Sequence, residues 1–135
     1  PRIQAIPIDQ KKPELSTLRT VFTLLKEKEK VVIFPEGERS WDGEITETGQ
    51  PGVGMIVTKS RAPVLAMRIF GAEKALPRGA KGLKPHPVTV AVGELLTFDD
   101  LIDDPELSTK QTYQAVADRI MKGIREIELR DSRGE

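Results

Sequence analysis

Apolar residues recur along this chain at two different periods. Leu15, Leu18, Phe22 and Leu25 are spaced by three and four, which marks one face of a helix. Pro13 and Glu14 suit its first turn, where proline forfeits no hydrogen bond and an acid favours the dipole. The sign-alternating run Lys26 to Lys30 reads as its solvated end. A longer helical stripe, Tyr113, Val116, Ala117, Ile120, Met121, Ile124 and Ile127, follows Ser108 and Thr109, either of which can cap it. Such a stripe is the face a small domain needs to cover a sheet. Between these helices the pattern shortens to strand-sized runs. Ile3 to Ile8, Val31 to Phe34, Val64 to Phe70 and Val88 to Val92 each read as strands, with Leu95 to Phe98 as an extension of the last. Val31 to Phe34 is continuously apolar, as in a strand covered on both faces of a parallel sheet.

Pro35 to Pro51 is a long loop rich in acids, Gly and Pro, and loops of this length inside a domain are usually functional or disordered. Gly52 to Arg61 predicts a short helix with Val53, Ile56 and Val57 on one side. Gly71 to Pro87 is irregular, Asp99 to Pro105 is an acidic connector, and Arg130 to Glu135 is a polar tail. The order of elements predicts an α/β layered domain: a mainly parallel or mixed sheet, flanked by helices and joined by right-handed crossovers.

Composition narrows the chemistry. The 135 residues carry 21 basic and 21 acidic side chains, so the formal net charge is zero. No bulk positive field is available for nucleic acid, which is excluded as a partner class. The absence of Cys removes disulfides, thiolate metal sites and cysteine nucleophiles. There is one His, His86, and no Asn. No apolar run approaches the ~20 residues that cross a bilayer, and Pro1 to Pro13 has no signal-peptide core. A cytoplasmic domain, peripheral at a membrane at most, is the expectation. Pro1 in place of Met suggests a processed or truncated piece.

The sharpest local signal is Phe34-Pro35-Glu36-Gly37-Glu38-Arg39-Ser40, where an apolar strand empties into the long loop. In α/β folds the crevice beyond strand C-termini is where ligands bind. Gly37 permits a turn or a close approach. Glu36 can accept hydrogen bonds from ligand hydroxyls, Arg39 can grip a phosphate or carboxylate with two parallel bonds, and Ser40 can add a hydroxyl contact. The same residues equally suit a plain turn closed by a Glu36–Arg39 pair. Trp41 reads either as a wall of such a site or a contact with a bilayer interface, where indoles are enriched, or equally as a lid on the loop's own apolar base. Asp99, Asp100, Asp103 and Asp104 lack the Gly and terminal Glu of a calcium loop, so no metal site is expected. Arg78, Lys81 and Lys84 read as solvent-facing, with lipid headgroups or the phosphates of CoA as the alternative.

Phe34 to Ser40 resembles the Phe-Pro-Glu-Gly-Thr-Arg-Ser signature of the PlsC-type glycerolipid acyltransferases, with Glu38 in place of Thr. Ala5 to Asp9 resembles the preceding strand block, with Gln10 where Arg is usual and Lys11 beside it. Thr48 to Gly52 resembles the Phe-Lys-x-Gly segment, with Gln50 in place of Lys and Gly52 kept. Ala62-Pro63-Val64 and Gly93-Glu94-Leu95 resemble two later blocks. The resemblance spans residues 3–98; 99–135 adds the connector and the last helix to what reads as one domain, 1–135.

The resemblance implies transfer of a fatty acyl group from acyl-CoA or acyl carrier protein to a lysophospholipid or glycerol-phosphate-type acceptor, with no other cofactor. It implies substrate-binding roles for Phe34, Pro35, Glu36, Gly37, Arg39 and Ser40. A membrane surface and a second copy of the chain are the further partners expected. In the family a His general base, oriented by an Asp, sits in an upstream Asn-His-x-x-x-x-Asp motif. A chain without Asn cannot contain that motif, and the fifth residue after His86 is Ala91. No catalytic residue is therefore assigned. The expectation is an incomplete acyltransferase domain that keeps the acceptor-binding half and is inactive alone, with a non-catalytic phosphate- or lipid-binding module as the alternative. Gln10 and Gln50 remove two cations, each charge-assisted contact being worth ~1.5–3 kcal/mol. Lys11 and Lys59 are the candidates to compensate.

Overall fold

The computed structural model describes residues 5–6, 15–37 and 42–129. Its elements are α1 (Leu15–Lys26), α2 (Pro51–Ser60), β1 (Val64–Phe70), α3 (Ala72–Ala75), β2 (Thr89–Leu96), α4 (Asp99–Ile102) and α5 (Thr109–Arg125). The chain is α/β, as expected. The two strands differ from expectation in direction: β1 and β2 pair antiparallel, from Val64 opposite Leu96 to Phe70 opposite Thr89. A parallel pair needs a crossover long enough to carry a covering helix. The connection 71–88 contains only the four-residue α3, so the chain doubles back instead. The stretches expected as a third strand and its extension form one strand, β2, with an irregularity where β1 runs from Leu65 to Met67. Two residues of β2, Gly93 and Glu94, stand there opposite the single Ala66, a β-bulge.

Val31 to Phe34 departs further from expectation. It forms no ladder among the described residues, and Val32 and Phe34 are 80% and 72% exposed. A strand exists only through its neighbours' hydrogen bonds. The other run expected as a strand before it, Ile3 to Ile8, lies outside the described residues except for its Ala5 and Ile6.

The core forms around α5. Val116, Ala117, Ile120, Met121 and Ile124 line one side of that helix and pack with Val53 and Val57 of α2, Ala66 of β1, and Phe98 and Ile127. Ser108 starts α5 with a complete capping box. Its Oγ accepts from the Gln111 N–H, and the Gln111 side chain accepts from the Ser108 N–H. Gly54 is what lets α2 reach α5. A Cβ at that position would lie 1.8 Å from the Tyr113 carbonyl oxygen, so any other residue would force the helices apart. In α1 the buried residue is Val21, while Leu15 is exposed; the face that packs is rotated from the one expected. The helix ends in a Schellman arrangement, with Glu29 N–H donating to Leu24 O, Lys28 N–H to Leu25 O, and Lys28 at positive φ.

The acidic connector is not merely solvated. Asp99–Ile102 forms α4, and its acids meet two arginines. Arg61, at the C-cap of α2, bonds Asp99 and Asp103, while Arg119 of α5 grips both oxygens of Asp100. Hydrogen bonding to these guanidinium groups holds the Asp103 and Asp100 carboxyls below their ordinary pKa. Arg68, which interrupts the apolar run of β1, is half-buried. Its guanidinium donates to the carbonyls of Arg125 and Ile127, where the C-terminus of α5 concentrates negative charge.

Candidate functional site

The turn that begins at Phe34 is built by Gly37. Its φ of +77° is strained for residues with a Cβ, and its N–H donates to Phe34 O at 3.4 Å. A second bond joins this turn to the distant segment that leads into α2: Gln50 N–H donates to Pro35 O at 3.0 Å. The Gln50 side chain lies against Gly37, with its Cγ 3.3 Å from where a Cβ would stand. Gln50 is also the N-cap of α2, in extended conformation. It makes no side-chain cap, and Pro51 follows as the first helical residue. The helix therefore opens directly beside the Pro35–Gly37 turn, where its first N–H groups and dipole favour an anion.

This junction is held from below by α5. Gly49 N–H donates to Asp118 Oδ1 at 3.3 Å, Gln114 Nε2 donates to Gly49 O at 3.2 Å, and Gln114 also donates to Asp118 at 2.8 Å. Gly49 sits against the Ala117 carbonyl, which leaves no room for a Cβ. One turn of helix thus reads both polar groups of a buried backbone unit that would otherwise lose its hydrogen bonds on burial. Further along α5, Arg125 donates to the carbonyls of Thr46 and Glu47 at 3.0 and 2.8 Å. The loop after the turn is therefore fixed at both ends of the stretch 46–50.

Of the six residues expected to bind substrate, Phe34, Pro35, Glu36 and Gly37 stand together in this turn, with Phe34 exposed and the others half-buried. Arg39 and Ser40 lie outside the described residues, as do Trp41, Gln10 and Lys11. Lys59 is in the last turn of α2, roughly 13 Å along the axis from Gln50. It borders a groove with Phe22, Leu25 and Lys26 of α1, and so does not replace the missing cation at position 50. His86 is exposed in the connection between the strands. Gln114 and Asp118 carry no distinctive signal in the sequence. Their only mark is the i, i+4 spacing of two polar residues at the edge of the apolar stripe, a pattern that many solvent-facing pairs share.

Comparison with known proteins gives a consistent result. The family model described as Acyltransferase matches residues 2–70. A chloroplastic 1-acyl-sn-glycerol-3-phosphate acyltransferase of Brassica napus is 30% identical over 83 residues, covering 60% of this chain and 24% of the relative. The 1-acyl-sn-glycerol-3-phosphate acyltransferase of Bacillus subtilis is 27% identical over 127 residues, covering 94% of this chain and 59% of the relative. Among solved structures, the 1-acyl-sn-glycerophosphate acyltransferase PlsC of Thermotoga maritima superposes with a TM-score of 0.63 at 26% identity, covering 88% of this chain and 47% of that one. The chain spans about a quarter of the Brassica protein and less than two thirds of the other two.

Proposed function

Since the chain belongs to the acyltransferase family, we propose that it is the acceptor-holding part of an enzyme that acylates a lysophospholipid or a related glycerol phosphate. The acyl donor is acyl-CoA or acyl carrier protein. The observation that carries this reading is the junction of two segments far apart in sequence, the Pro35–Gly37 turn and the Gln50 entry to α2, at the head of a helix. The acceptor's phosphate sits toward the helix N-terminus and Arg39, and its glycerol hydroxyl toward Glu36 and Gly37. Phe34 and Ser40 border the same acceptor. Gln50 contributes an amide where a lysine would contribute charge, so the site holds a phosphate less tightly or takes a less charged acceptor. In this reading 1–135 is one unit, supported by α5 being both a core helix and the support of the site.

The general base and its orienting acid are supplied from outside these 135 residues, which contain no Asn and hence no Asn-His-x-x-x-x-Asp. That same sequence fact favours a second reading, a non-catalytic binding module of this fold. Both predict calorimetric binding of glycerol 3-phosphate, weakened about tenfold or more by Arg39→Ala through loss of a charge-assisted contact. Absence of saturable binding would sink both. Turnover separates them. The 135-residue chain supplied with acyl-CoA and 1-acylglycerol-3-phosphate is expected to release no CoA. Release restored by adding the missing catalytic segment as a second polypeptide selects the enzyme reading, and clear turnover by the chain alone overturns the assignment of the base to another segment.

A further inference from the structure

The connection 71–88 concentrates charge of one sign. It holds Lys74, Arg78, Lys81 and Lys84 against a single acid, Glu73, in a chain whose formal charge is zero. Glu73 is turned to the root of the connection, where its carboxyl lies over Gly43, between Asp42 and Glu44. The cations Lys81 and Lys84 stand apart from this, in a stretch where every residue from 79 to 90 is exposed. Between them Leu83 presents an apolar side chain that is 80% exposed. Backbone bonds hold it there: Ala80 N–H to Pro77 O at 2.9 Å, and Lys84 N–H to Ala75 O at 2.7 Å. Val88, and Val90 and Val92 of β2, are exposed as well.

Lysines flanking an outward-held leucine match the anatomy of a bilayer boundary, where ammonium groups meet lipid phosphates and an apolar side chain enters below them. We propose that the connection 71–88 docks the protein on an anionic lipid bilayer, with Leu83 inserted and Lys81 and Lys84 on the phosphates. An acidic protein would match the charge too, but it leaves the outward-held Leu83 unexplained. Glu73, at the root of the same connection, reaches Gly43 of the loop that follows the Phe34–Gly37 turn. A lipid acceptor lies in such a bilayer. The inference rests on the lipid-acceptor reading for its purpose. Its test uses no turnover and no glycerol phosphate, so either can fail alone.

The chain contains no Cys, so Leu83→Cys creates a unique position for a polarity-sensitive dye. The labelled full chain is mixed with vesicles of phosphatidylcholine, alone or with phosphatidylglycerol, and unlabelled chain is co-sedimented with the same vesicles. The expected result is a blue-shifted emission and co-sedimentation with the anionic vesicles only, reversed by added salt. Lys81→Gln with Lys84→Gln should weaken that partitioning about tenfold or more. Three results would overturn the proposal: no shift on anionic vesicles, an equal shift on neutral ones, or a shift indifferent to the lysine changes. A dye response to acyl carrier protein without one to vesicles would also overturn it and assign the surface to an acidic protein.

Discussion

The two faces of the β1–β2 sheet are both largely apolar and meet opposite fates. On the inner face Ala66 is buried and Val64, Phe70 and Ala91 pack against the core around α5. On the outer face the cross-strand pairs Met67–Val92, Ile69–Val90 and Leu65–Leu95 are exposed. Residue type alone does not decide which side is core. What decides it is the helix lying against one side, brought close by glycines and pinned by polar side chains. Val32, Ile33 and Phe34 are apolar and exposed as well, and they form no ladder among the described residues.

The largest test of this contrast is Met121→Ala. Met121 is completely buried at the centre of α5, and the change should cost about 2–5 kcal/mol in urea denaturation. A loss below about 1 kcal/mol would mean that α5 is not the organising helix. Gly54→Ala should cost roughly 1–3 kcal/mol or more, because the added methyl meets the Tyr113 backbone rather than a side chain that can turn away. Thermal melts that match the parent chain would show that α2 and α5 cross less closely. Ser108→Ala removes a capping box and should cost about 1 kcal/mol, read as a lower denaturation midpoint with unchanged slope.

A smaller effect is expected from pH. The Asp100 and Asp103 carboxyls are held below the ordinary value of 3.8 by hydrogen bonds from Arg119 and Arg61. Their contribution to stability is therefore present above that value and lost as pH falls through the depressed folded pKa. A melting profile that declines below about pH 4, with the decline reduced in Arg119→Gln, would bear this out; a decline unchanged in that variant would count against it. The smallest change is predicted for Val92→Thr on the outer face, within about 0.5 kcal/mol of the parent. A loss above about 1 kcal/mol would break the comparison by showing that this face is packed.

Much of this fold is legible in the amino-acid sequence. The helix at Pro51–Ser60, the strand at Val64–Phe70, the Ser108 cap and the stripe from Val116 to Ile124 follow from local periodicity and cap chemistry, which act within a few residues. The Phe34–Gly37 turn is legible as a segment, because Pro and Gly restrict their own backbones. Its partners are not. That Gln50 closes onto Pro35, and that Gln114 and Asp118 hold Gly49, depends on residues far apart in sequence meeting in space. The pairing of the acidic connector with Arg61 and Arg119 is not legible either, because both arginines are remote from it in sequence.

The sequence by itself therefore determined the local elements, the family signature and the absence of Asn from these 135 residues, because each is a property of neighbours or of composition. Only the tertiary structure decided the antiparallel direction of the sheet, which of its faces is core, and which backbone groups α5 would hold. Those outcomes depend on which surfaces lie against one another, and burial and pairing are properties of that contact, not of any segment alone.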